Sequence, residues 1–170
     1  MNIWQKIVIT DTNIITDLDN AKLLDIFIKL DNVYMCDVVV NDEINSKSAS
    51  FSISPFIKKI SLDETELEEV MKLMLEHRKL SFYDLANYVS ARTHNGVLAT
   101  GDERLKKFAE ENGVEVIRTL KIIEYLYNCK IIENEKFIKS LELLKNNDKT
   151  RIPKEEIEKL ENKYREKLIA

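Results

Sequence analysis

Hinge residues are scarce in this chain of 170 residues, which holds only three glycines and two prolines. No flexible linker between separate globular units is evident, and no repeat or low-complexity tract stands out, so one domain with one core is the default. A hydrophobic content of 44% suffices to fill such a core. Long apolar runs are also missing. None approaches the ~20 residues needed to span a bilayer, and MNIWQKIVIT lacks the basic and hydrophobic blocks of a secretory leader. The expectation is a cytoplasmic protein with no membrane association. Cysteine is limited to Cys36 and Cys129, far apart and outside any metal-ligand spacing. Two buried free thiols in a reducing compartment are expected. The two histidines, His77 and His94, fall at the ends of predicted helices, where they read as exposed terminal residues with no catalytic part.

Basic charge is not in excess either: the formal net charge is −4. That argues against indiscriminate, tight binding of nucleic acid. It leaves room for a transient nucleic-acid substrate, because a cluster of carboxylates would itself account for about −4 and a bound cation would offset it.

Periodicity supplies the elements. Lys6 to Thr10 reads as a short buried strand, and Asn20 to Leu30 as a helix with Leu23, Leu24, Phe27 and Ile28 on its apolar face. Val33 to Cys36 is a second strand and Val38 to Ile44 the start of another helix. Residues 45–55 are Ser-rich and aperiodic, a loop. Phe56 to Leu62 is a strand or an irregular piece. Asp63 to His77 is a helix N-capped by Asp63, and Ser81 opens one that Asn95-Gly96 stops. Val97 to Thr100 is a strand, Asp102 to Asn112 a helix closed by Gly113, Val114 to Ile117 a strand, and Thr119 to Tyr127 a helix. Helices over Glu135 to Leu144 and Pro153 to Leu168 complete the chain. This order calls for an α/β fold with a mostly parallel sheet between helical layers. We expect a domain over 1–129 and a helical extension over 130–170, packed on it or on a partner.

Four acids stand where predicted strands give way to helices: Asp11 in KIVITDTN, Glu43 in VVVNDEI, Asp84 in LSFYDLANYVSA and Asp102 in VLATGDERL. Each has a plain explanation. Asp11 and Asp102 suit a helix N-cap, Ser81 with Asp84 forms a capping-box-like pair, and Glu43 beside Asp42 suits a solvated face. Capping alone, however, is equally well served by Ser, Thr or Asn. Asp11 and Asp102 also follow apolar runs that read as parallel strands, which puts them at the sheet edge where such folds bind ligands. With strands ~5 Å apart, carboxylates there can share one hard divalent cation. The pattern points to metal-dependent phosphodiester hydrolysis.

The stretches VITDTNII, VVVNDEI, LSFYDLANYVSARTHNGVLATGDERLKKFAEENGVEVI and TLKIIEYL resemble the PIN-domain family. The middle block is the most specific, and KNNDKTRIPKEEIEKL resembles a tail of one prokaryotic, VapC-like toxin branch. The resemblance implies a three-layer α/β/α sandwich and a ribonuclease holding one or two Mg2+ or Mn2+ ions. Asp11, Glu43, Asp84 and Asp102 would take the family's catalytic, metal-binding positions. Asn13 matches a residue that orients the first carboxylate, and Thr100 a strand-end hydroxyl. Arg104 stands where many relatives carry a further acid, so the second metal position departs from the pattern; its charge makes it a candidate for the substrate phosphate.

With metal-bound water as nucleophile, no Ser or His nucleophile is needed. Arg92, Lys106 and Lys107 are further phosphate candidates, against the simpler reading of a solvated helix face. Tyr83 reads as half-buried rather than stacking on a base, and Trp4 as packing at the sheet edge. The implied partners are single-stranded RNA, an antitoxin protein and a second copy of the chain as a homodimer. One alternative is a catalytically weak RNA- or protein-binding module. A receiver- or phosphatase-like domain is disfavoured, since Asn13 occupies the third position of Asp-Thr-Asn.

Overall fold

The computed structural model of the protein describes residues 3–44 and 56–169, with the side chains at 3, 43, 44 and 166–169 outside that description. After a 3-10 turn, β1 spans Val8–Thr10, α1 Thr12–Asn20, α2 Leu24–Phe27 and β2 Val33–Cys36. A single turn, α3 (Asp37–Val39), runs into a π-helical turn at Val40–Ile44. Then come β3 (Lys59–Ile60), α4 (Glu64–Glu76), α5 (Phe82–Thr93), β4 (Val97–Ala99), α6 (Glu103–Glu111), β5 (Glu115–Ile117), α7 (Thr119–Asn128), α8 (Asn134–Lys145) and α9 (Lys154–Ile169).

The five described strands are all parallel, in the order β3-β2-β1-β4-β5. Central strands covered on both faces must be apolar throughout. Accordingly Val8, Ile9, Val97 and Leu98 have no exposed surface. Helix α5 packs on β1, β2 and β4 and touches α4 and α6, while α1 meets α7 and α8. The result is the expected α/β/α sandwich. Its chain order matters most at the centre: β1 and β4 are neighbours paired Thr10 to Ala99, so the residues following them emerge side by side.

Several expectations need revision. The helix expected over Asn20 to Leu30 is instead α1, beginning at Thr12, followed by the four-residue α2. Asp11 caps Ile14 N–H at 3.0 Å and starts α1 at once, and Ile14, Ile15 and Leu18 form its buried face. The alternating aspartates of TDLDN mask that face from a periodicity search, and Lys22 in the left-handed region (φ 57) separates the two helices. Val38 to Ile44 is a short turn and a π-helical turn rather than a regular helix. The strand sought in Phe56 to Leu62 shrinks to two residues. Cys36 is buried, its thiol pushed up to about 12 chiefly by desolvation. Cys129, expected to be buried, is exposed because it caps the end of α7. The loop expected over 45–55 lies outside the described residues.

The turn before β4 shows why a glycine stands there. A Cβ on Gly96 would lie 2.6 Å from the carbonyl oxygen of Ile7, an unyielding backbone atom beside β1.

Helices α8 and α9 join the same core, with Phe137, Leu141, Leu144 and Ile157 fully buried. Tyr127 stacks on Phe137 at 4.3 Å between ring centroids, and Tyr164 meets both rings edge-on. The buried Glu124 of α7 completes the join, accepting a hydrogen bond from the Tyr164 hydroxyl at 2.9 Å and ion-pairing with Lys163 and Lys121. Burial opposes its charge, but hydrogen bonds from Lys163, Tyr164 and Lys121 hold its carboxyl below the ordinary range. A lowered carboxyl contributes stability above its unfolded value that is lost as pH falls through the folded one. Glu124→Gln should therefore destabilise the protein by about 1–3 kcal/mol at pH 7. Hydrogen exchange should report lost protection in α9, and the difference from wild type should shrink in acid. Unchanged protection at neutral pH would contradict the role given to Glu124.

Candidate active site at the sheet edge

The register of β1 and β4 builds the site. Asp11 N–H donates to Ala99 C=O at 3.0 Å, extending the ladder one step past Thr10, which brings Asp11 level with Thr100. The fully buried Thr100 hydroxyl donates to Asp11 Oδ2 and accepts from Asp102 N–H at 3.1 Å. One threonine thereby ties together the two strand-end acids. This is the point where the strand order reverses, the usual ligand crevice of such sheets.

Asp11 is only 5% exposed. Desolvation pushes its carboxyl up to about 7; hydrogen bonds from Thr100 and the Ile14 N–H pull it down, and the nearby charge of Asp84 adds to the rise. A buried carboxylate with an acidic neighbour and no cationic partner is costly. Asp84 reaches the region from the start of α5, where Oδ2 accepts from Ser81 N–H and from the Ser81 hydroxyl, each at 2.8 Å. Asp102 caps α6, with Oδ1 accepting from Arg104 N–H at 2.8 Å and Leu105 N–H at 2.9 Å.

The capping explanations therefore hold for all three acids, yet each cap occupies one carboxylate oxygen. Among the described residues, Asp84 Oδ1 and Asp102 Oδ2 have no hydrogen-bond partner. Unengaged carboxylate oxygens are the hard donors that a divalent cation takes. Among the described residues no group of three metal-capable side chains is close enough to hold an ion. The caps turn Asp84 and Asp102 toward their own helices. Glu43 lies in the π-helical turn, and its side chain is outside the description.

The other candidates separate. Asn13, in the first turn of α1, is half-buried and its Cβ lies 3.5 Å from where a Cβ on Gly101 would sit. Arg104 is exposed and lines a different hollow with His77, Leu80 and Phe108. Arg92 is tied to Glu69, Lys106 lies 3.6 Å from Glu103 and 3.5 Å from Glu110, and Lys107 lies 3.9 Å from Glu111. These three serve ion pairs on or between helices. Tyr83 is half-buried, its hydroxyl 3.2 Å from Asp42 Oδ2, and Trp4 stacks on Tyr125 at 3.8 Å. His77 and His94 end α4 and α5 as expected.

Sequence reasoning missed Arg118. It directly follows β5 at the same sheet edge, donating to Gly101 C=O at 3.2 Å and to Glu103 Oε2 at 3.0 Å. Its place after a strand, the same signal that singled out Asp11 and Asp102, was available.

A family model described as a PIN domain matches residues 7–166, and the chain belongs to that family. PIN domains are usually nucleases, so membership gives a hydrolase of nuclease type. No curated protein matched the sequence. No described helix is long and apolar enough to cross a membrane.

The raised carboxyl of Asp11 has a measurable consequence. Its stabilising contribution is complete below the unfolded value of 3.8 and lost as pH rises through about 7. In metal-free buffer, Asp11→Asn keeps the helix cap and removes the buried charge. It should be more stable than wild type at pH 8 by roughly 1–4 kcal/mol, at ~1.4 kcal/mol per pK unit, and equal to it near pH 4. Urea unfolding at both pH values checks this. A variant less stable at pH 8 would show that the charge is compensated.

Proposed function

We propose that this chain is a divalent-metal-dependent endoribonuclease acting on single-stranded RNA. The reading is carried by the buried carboxylate of Asp11, which has no cationic partner among the described residues and feels the charge of Asp84, at the β1–β4 crevice of a PIN-family chain. Asp11, Glu43, Asp84 and Asp102 are the residues that would hold Mg2+ or Mn2+. Such an ion, when bound, lowers the pKa of a coordinated water and offsets charge on the scissile phosphate. The Thr100 hydroxyl fixes the orientation of Asp11 and anchors the backbone of Asp102. Asn13 borders the same crevice and is assigned to substrate orientation. Arg104, by its charge, is assigned to substrate outside the crevice. Hydrolysis adds water across the phosphodiester bond, leaving one phosphate monoester and one hydroxyl end.

In this reading residues 1–129 form the nuclease unit and 130–170 a helical extension of it, with a cytoplasmic setting. The resemblance to the prokaryotic toxin branch supports a toxin paired with an antitoxin protein, and a homodimer.

A second reading is a catalytically weak RNA- or protein-binding module. It is favoured by Arg104 standing in place of an acid and by the caps that engage Asp84 and Asp102. Metal and cleavage separate the two. The purified chain should cleave labelled single-stranded RNA with Mn2+ or Mg2+ and stop in EDTA. Asp11→Asn and Asp84→Asn should lower the rate at least about 100-fold. Thr100→Val should weaken Mn2+ affinity about 10-fold by calorimetry, as removal of a ligand-orienting hydrogen bond does. Full activity in Asp11→Asn, or no heat of Mn2+ binding in wild type, would favour the binding module.

A further inference from the structure

A cleft of about 740 Å3 runs from Asn13 and Gly101, close in the chain to Asp11 and Asp102, to the connection between α8 and α9. Its near wall is formed by α1 residues from Asn13 to Asn20, by Gly101 and by Arg118 to Leu120. Its far wall is the segment 146–153, contributed by the C-terminal helices. Three cations face it: Arg118 after β5, and Lys149 and Arg151 from the far wall. Arg118 is held by Gly101 C=O and Glu103. Among the described residues Lys149 and Arg151 make no side-chain hydrogen bond or ion pair. Asp17 lies on the floor, accepting from the Thr119 hydroxyl at 2.7 Å and within electrostatic reach of both Arg151 and Arg118. Its bond to Thr119 ties α1 to α7 beneath the cationic walls.

We infer that this cleft is the channel for the RNA strand leaving the carboxylates, with Arg118 on one wall and Arg151 on the other contacting successive backbone phosphates. This rests on the nucleic-acid reading above. Guanidinium groups suit the role because their planar fork pairs with phosphate oxygens. The cleft is also lined mostly by polar residues and reaches Asn13 and Gly101, as a path for a polar chain must. Asp148 and Glu156 also line it, so with Asp17 three acids balance three cations. The grip is therefore local and modest, which suits a substrate that must leave.

The test uses the full chain and a labelled single-stranded RNA of about 12 nucleotides, within the span of one such binding surface. Binding is measured against salt in EDTA and again with Ca2+. The double variant Arg118→Ala/Arg151→Ala should weaken binding at least tenfold. It should reduce the slope of log affinity against log salt by about 1.4, as expected for two single-strand phosphates. Arg151→Lys, combined with native Arg118, should retain most of the affinity, and Lys72→Ala on α4 should change nothing. Unchanged melting of the double variant excludes a folding defect; if it melts lower, the single Arg151→Glu change must show the affinity loss alone. Wild-type affinity and slope in the arginine variants overturn the inference, as does absence of RNA binding under both conditions. Tighter binding of DNA of the same sequence overturns the RNA assignment. Arginine-dependent binding without metal-dependent cleavage would leave the channel standing and remove the catalytic reading instead.

Discussion

A carboxylate buried between two strand ends is the constraint around which this protein is organised. Asp11 is almost wholly removed from water, and its oxygens are met by the Ile14 amide and the Thr100 hydroxyl. Neutral donors alone do not repay the desolvation of a full charge. A serine or asparagine would cap α1 as well without that cost. The placement of Asp84 nearby makes the ionised state harder still. Such an arrangement is stabilised only by a proton at low pH or a cation at neutral pH. The crevice at the reversal of strand order supplies the position, and the β1–β4 register holds it.

Much of the fold was legible because the central strands are short, mostly apolar and bounded by turn residues. VIVIT-like alternation was not needed: Val8, Ile9, Val97 and Leu98 are buried on both faces, as parallel strands between helices must be. Helix α1 was hidden by its aspartates, which interrupt the apolar pattern of a helix whose buried residues are Thr12, Ile14, Ile15 and Leu18. The candidate acids were legible as strand-end residues. What the sequence did not reveal is that Asp84 and Asp102 each spend one oxygen on a cap, a matter of local backbone geometry. Arg118 escaped notice because a basic residue after an edge strand reads as a solvated side chain until Gly101 is seen beside it.

The C-terminal helices bear on the site as well as on the core. Glu124 and the Tyr127, Phe137 and Tyr164 rings fix α8 and α9 against α7. Their connection is thereby carried to the mouth of the crevice, opposite Asn13 and Gly101. Asn13, Gly101 and Arg118 thus face the connection 146–153 across a single cleft. Packing energy far from the site sets the position of Lys149 and Arg151 within it.

The most direct measurement is anomalous diffraction from a crystal soaked in Mn2+. The account predicts a manganese peak about 2 Å from oxygens of Asp11 and Asp84, a distance set by hard-cation coordination, with Asp102 or Glu43 closing the shell directly or through water. A peak elsewhere on the surface, or none at saturating Mn2+, would contradict it.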